Sequence, residues 1–126
     1  MTIDDAPVDD SPLALARAAA LAADDKKGDR TLVFEVGDVL AITEFFVITS
    51  ASNRRLVRTL VESVEEAVRS TCGRSPRRME GIAELQWVLM DYGEIVVHVF
   101  SEEMRAYYEI ERLYRDVPSI DWRAAG

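Results

Sequence analysis

Cysteine and histidine are almost absent from this chain of 126 residues: Cys72 and His98 are the sole representatives. Cys72 has no partner for an intrachain disulfide, and one thiol with one imidazole falls short of a zinc site. That usage points to a reducing, cytoplasmic setting. Long apolar runs are missing as well. The most apolar early stretch, residues 13–23, contains Arg17 and follows several aspartates, so neither a signal peptide nor a membrane span is expected. Positive charge is the third shortage. Lys and Arg number 15 against 23 Asp and Glu, a net charge of −8. A protein held to nucleic acid mainly by neutralising phosphates would carry the opposite sign. A basic protein partner is easier to accommodate, with RNA contact confined to local arginine patches.

Catalytic signatures are lacking too. There is no P-loop, no GxGxxG after a strand and no GxSxG elbow. A Ser-His-Asp triad would have to use His98, which lies among valines in a predicted strand, a poor place for an exposed base. No residues converge on a catalytic, cofactor or metal site, so the chain reads as a non-enzymatic protein.

What is present is one domain's worth of regular patterning. Residues 1–11 are acidic and contain Pro7, the composition of a disordered tail. Ser11-Pro12 supplies an N-cap followed by proline at the first helical position, opening an Ala-rich helix over 13–27 with Gly28 past its end. Residues 31–36 alternate as a strand, with Leu32, Phe34 and Val36 on one face. Residues 45–50 are apolar on both faces, as an interior strand would be. Over 53–71, Val57, Leu60, Val61, Val64 and Val68 recur at helical spacing. A short strand over 76–79 and a loop around Gly81 follow. Strands 86–91 and 94–100 form a hairpin about Tyr92-Gly93. A last helix covers 102–114, with Met104, Tyr107, Ile110 and Leu113 as its packing stripe. The order α-β-β-α-β-β-β-α predicts an α+β fold: a mixed five-stranded sheet packed with helices over residues 12–118, followed by a tail at 119–126.

Charge is unevenly placed. No Lys or Arg occurs between Met79 and Met104, an interval containing Glu80, Glu84, Asp91, Glu94, Glu102 and Glu103. Trp87 and Tyr92 stand among the first four of these acids. An exposed hairpin edge would thus offer a negative rim around aromatic anchors, suited to a basic protein. The simpler alternative is a solvated charge run with Trp87 in the core. Two arginine groups, Arg54, Arg55, Arg58 and Arg74, Arg77, Arg78, either touch RNA phosphates or, more simply, pair with acids such as Glu62, Glu65 and Glu66. His98 is most simply a core histidine with a satisfied hydrogen bond.

Residues 43–57, TEFFVITSASNRRLV, and 86–118, QWVLMDYGEIVVHVFSEEMRAYYEIERLYRDVP, resemble the Iojap or ribosomal silencing factor family. Its patterns are T-D-x-F-V-I, S-G-x-S-x-R, W-x-L-L-D-Y-G-D-I-V-V-H and R-x-x-Y-x-L-x-x-L-W-x-D. Glu44, Ala51, Leu56, Glu94 and Tyr114 depart from them; Ala51 stands where the family has glycine, a place where a side chain can resist the backbone geometry. The resemblance implies a nucleotidyltransferase-like fold without catalytic carboxylates. It also implies docking on the large ribosomal subunit through basic large-subunit ribosomal protein fourteen, blocked subunit joining and repressed translation. Homodimers occur in the family. By motif match, Trp87, Asp91 and Tyr92 are the contacts implied, with Glu80, Glu84 and Glu94 as the charged rim. The rival functions are assembly of the large subunit and a nucleotidyltransferase-like enzyme.

Overall fold

A computed structural model describes residues 8–123. Of the tail expected over 1–11, residues 1–7 lie outside the described residues, and 8–11 lead into α1 without regular structure. The elements are α1 (Pro12–Asp25), β1 (Asp29–Glu35), β2 (Phe45–Ala51), α2 (Arg54–Cys72), β3 (Arg78–Glu80), β4 (Trp87–Asp91), β5 (Ile95–Ser101), α3 (Glu102–Tyr108) and α4 (Ile110–Leu113). The five strands form one mixed sheet in the order β1-β2-β5-β4-β3. Only the β2/β5 pair is parallel.

Helices α1 and α2 cover one face of the sheet. Ser11 caps α1 by accepting from the Ala14 amide, and Pro12 opens the helix. The buried side of α1 is Leu15 and six alanines, side chains small enough for close approach to α2 and the sheet. Asn53 caps α2, all five residues of its expected stripe are buried, and Gly73 ends it in a left-handed conformation (φ 70°). Gly28 serves differently from expected. The left-handed residue after α1 is Lys27 (φ 66°), whereas Gly28 is needed for proximity. A Cβ there would stand 2.3 Å from Thr49 Oγ1, whose hydroxyl hydrogen-bonds Thr31 at 3.0 Å.

The opposite face carries a second core: Phe34, Val36, Phe46, Ile48, Phe100 and Ile110. Here the last helix departs from expectation. It breaks at Glu109, whose φ of 46° and ψ of 49° interrupt the helical path. The expected stripe is only half kept: Ile110 is buried and Met104 half-buried, but Tyr107 is 75% and Leu113 78% exposed. The buried residue of α3 is Arg105, 1% exposed.

Beyond Pro118 the chain docks along the outer edge of β1. Glu35 N donates to Pro118 O and Ile120 N to Val33 O, each at 2.9 Å, and the buried Trp122 donates from Nε1 to Thr31 O at 3.0 Å. Residues 119–123, expected as a tail, thus shield the edge of β1. Residues 124–126 lie outside the described residues. Ala51 lies in β2 opposite Ser101, outside the positive-φ region, so its methyl group meets no backbone strain.

Candidate partner-binding surface

Strand β4 alternates by the two-residue period of a strand. Val88 and Met90 face the helical layer and are fully buried; Trp87, Leu89 and Asp91 face the other side and are half-buried. That side is open because α3 and α4 pack over the β1, β2 and β5 half of the sheet. Trp87 is therefore neither sealed in the core nor free. Its ring stacks on Phe100 at 4.9 Å between centroids and meets Tyr108 at 5.0 Å. Tyr107 in turn meets Tyr108 edge-on at 4.9 Å. On the opposite flank, Glu80, Gly81, Trp87 and Leu89 line a cleft of about 320 Å³. One continuous apolar and aromatic strip runs from Leu89 through Trp87 to Tyr108 and Tyr107.

Tyr92 belongs elsewhere. The chain reverses at the turn, with Gly93 at φ 91° and its amide donating to Asp91 Oδ1 at 2.8 Å. The Tyr92 ring is directed into the core beneath α2, 1% exposed, and burial pushes its hydroxyl above the usual tyrosine range. The surface contact implied by the motif is thus not offered by this ring, which holds the turn from inside.

The negative rim is only partly negative. Arg74, following α2, forks onto Glu94 at 2.9 and 3.1 Å and also donates to Tyr92 O at 3.0 Å. The hydrogen bonds from Arg74 hold the Glu94 carboxyl below its ordinary value. Arg77 lies 3.5 Å from Asp91, while Arg78 reaches Glu80 at 3.2 Å and Asp91 at 3.9 Å. The basic-free stretch of sequence is thus met in space by arginines from the α2–β3 connection and the start of β3. Glu84, Glu102 and Glu103 are exposed and form no ion pair among the described residues. The expected pairing of Arg54, Arg55 and Arg58 with the acids of α2 does not form. Arg54 donates to Ala83 O at 3.2 Å, and Glu66 pairs with Arg69.

The two exposed tyrosines were not legible as surface residues. Helix α3 turns Arg105 inward and so carries Tyr107 and Tyr108 to the surface, just ahead of a left-handed turn at Glu109 that glutamate does not announce. Among the described residues no cluster of three or more His, Cys, Asp or Glu side chains is arranged to hold a metal ion. No helix there is long and apolar enough to cross a membrane.

Comparison with known proteins agrees with this architecture. The family described as "Ribosomal silencing factor during starvation" matches residues 9–125. A ribosomal silencing factor of Halalkalibacterium halodurans is 32% identical over 107 residues, covering 85% of this chain and 91% of the relative. One from Bacillus subtilis is 31% identical over 105 residues, covering 83% and 88%. A crystal structure of a Chromobacterium violaceum protein superposes with a TM-score of 0.76 at 28% identity, covering 89% of this chain and 91% of that one. With nearly its whole described length matched, the chain belongs to the family of ribosomal silencing factors.

Proposed function

We propose that this protein docks on the large ribosomal subunit, against basic ribosomal protein fourteen, and keeps the small subunit from joining it. The observation that carries the proposal is the strip Leu89–Trp87–Tyr108–Tyr107, which the protein's own helices leave uncovered. Exposed aromatics of this kind supply most of the energy at protein interfaces. Glu84, exposed and forming no ion pair among the described residues, supplies negative charge for a basic partner beside Gly81, with Glu80, shared with Arg78, next to it. Asp91 and Glu94, already engaged by arginines, act by holding the hairpin. Blocking needs no chemistry. A globular chain of this length has a radius of gyration of about 14 Å, thick enough to hold apart surfaces that must touch.

Sedimentation of separated, mature subunits with and without the protein tests this. The protein should travel with the large subunit and lower the joined fraction, and Tyr107→Ala with Tyr108→Ala should weaken both effects. An unchanged joined fraction at saturating protein would overturn the proposal and favour a role in subunit assembly.

A further inference from the structure

Trp87 and His98 sit on neighbouring strands and are joined side chain to side chain: Trp87 Nε1 donates to His98 Nδ1 at 3.1 Å. An indole N–H can only donate, so Nδ1 must offer a lone pair and the neutral imidazole carries its proton on Nε2. That Nε2 is buried and has no hydrogen-bond partner. The histidine is 3% exposed, set edge-on against Phe46 at 4.6 Å. Burial pulls its pKa down to about 4, so the acceptor lone pair persists at neutral pH. A leucine here would fill the space without leaving an orphaned donor in the core. The polar ring therefore costs stability on one side while gripping the indole on the other.

Without that grip, the half-buried indole rests on ring contacts, chiefly with Phe100 and Tyr108. Such contacts tolerate sliding and rotation, whereas a hydrogen bond from the single indole N–H fixes the ring in its plane. We infer that His98 is a positioning residue: through Nδ1 it locks the Trp87 indole in the orientation that the partner surface receives. An anchor already ordered loses less freedom on binding. The inference rests on the proposed docking of the Trp87 strip for its effect on binding, but not for its effect on the indole.

Two substitutions separate the roles. His98→Asn places a carbonyl oxygen near the position of Nδ1 and retains an acceptor. His98→Leu fills similar space with none, and His98→Phe repeats the test should the leucine variant not fold. In ¹⁵N–¹H spectra of the full chain, the Trp122 indole, bonded to Thr31 O, serves as internal reference. The Trp87 indole signal should move upfield in His98→Leu and return towards wild type in His98→Asn. Binding to purified large subunits should weaken about tenfold in His98→Leu, the scale of one lost hydrogen bond, and recover in His98→Asn. An unmoved Trp87 signal in a folded His98→Leu protein overturns the inference. So does unchanged binding despite a moved signal. Failure of the wild-type protein to bind at all would sink the docking proposal instead, with the spectrum still deciding whether His98 holds the indole.

Discussion

Arg105, itself buried, pairs with the half-buried Glu111 across the break between α3 and α4, with Nε donating to Oε2 at 2.9 Å. The same guanidinium donates to the carbonyls of Asp29 and Arg30, each at 2.8 Å, and to Ser50 Oγ at 3.1 Å. One side chain thereby ties the last helices to the start of β1 and the end of β2. This explains how α3 and α4 stay docked although Tyr107 and Leu113 contribute so little burial.

Removing the guanidinium should therefore be severe. Arg105→Met should cost about 3–5 kcal/mol, the range for breaking a buried ion pair from one side. Arg105→Lys should recover little, because an ammonium cannot span four acceptors set around a planar fork. Urea unfolding measures both. A cost under about 1 kcal/mol for the methionine variant would show that α3 and α4 are held by Met104 and Ile110 instead.

Much of this scaffold was legible in the sequence because it follows from periodicity. The stripe Val57–Val68 on α2, the apolar run of β2 and the hairpin about Gly93 need only the periods of helix and strand to be recognised. Trp87 was recognisable through its motif. The charge pattern misled, because ion pairs are long-range. Arg74 and Glu94 are 20 residues apart, and nothing local announces that they meet. Tyr92 misled because alternation alone does not say which face of a hairpin is covered; α2 decides that. Tyr107 and Tyr108 stayed hidden because α3 turns Arg105 inward, a charged residue outside the expected stripe of Met104, Tyr107, Ile110 and Leu113.

The His98 imidazole sets a pH dependence. Its folded pKa of about 4 lies below the ordinary 6.5, so the unfolded chain takes up the proton first as pH falls. Its contribution is fully present above about pH 6.5 and is lost progressively down to about pH 4. Linkage puts the loss at about 2 kcal/mol between neutral pH and pH 5. His98→Asn should abolish that component of the slope, so its stability relative to wild type should rise by this amount across the same interval. Glu94, lowered by Arg74, has the same sign but a lower window, beginning as pH falls below the ordinary 4.5. A stability difference between wild type and His98→Asn that is the same at both pH values would show that the imidazole takes up its proton as readily in the fold as in the unfolded chain.

The Tyr92 hydroxyl is buried without a hydrogen-bond partner. A buried, unsatisfied polar group costs about 1–3 kcal/mol. Tyr92→Phe deletes that atom and keeps the ring that fills the core behind the turn. The variant should be more stable than wild type by about 1 kcal/mol and bind the large subunit equally well. Thermal unfolding and subunit co-sedimentation measure the two. A loss of binding with stability intact would return Tyr92 to the contact surface and reverse the placement drawn from its burial.

Gly73 and Gly81 share a left-handed backbone, at φ 70° and 85°, but differ in their surroundings. A Cβ on Gly73 would meet nothing within 4 Å, whereas one on Gly81 would stand 2.0 Å from the Trp87 carbonyl oxygen. That oxygen cannot swing aside, since it belongs to β4, which is paired with β3 and β5. Gly73→Ala should thus cost only the conformational penalty, about 1 kcal/mol. Gly81→Ala adds a backbone collision and should reach about 3 kcal/mol, the upper end for a strained backbone position. It should also disturb the cleft between Glu80 and Leu89 and so weaken subunit binding, which Gly73→Ala should leave intact. Equal costs for the two variants in urea unfolding would mean that the loop after Gly81 moves away freely, and that the close approach to β4 does not shape the surface beside Trp87.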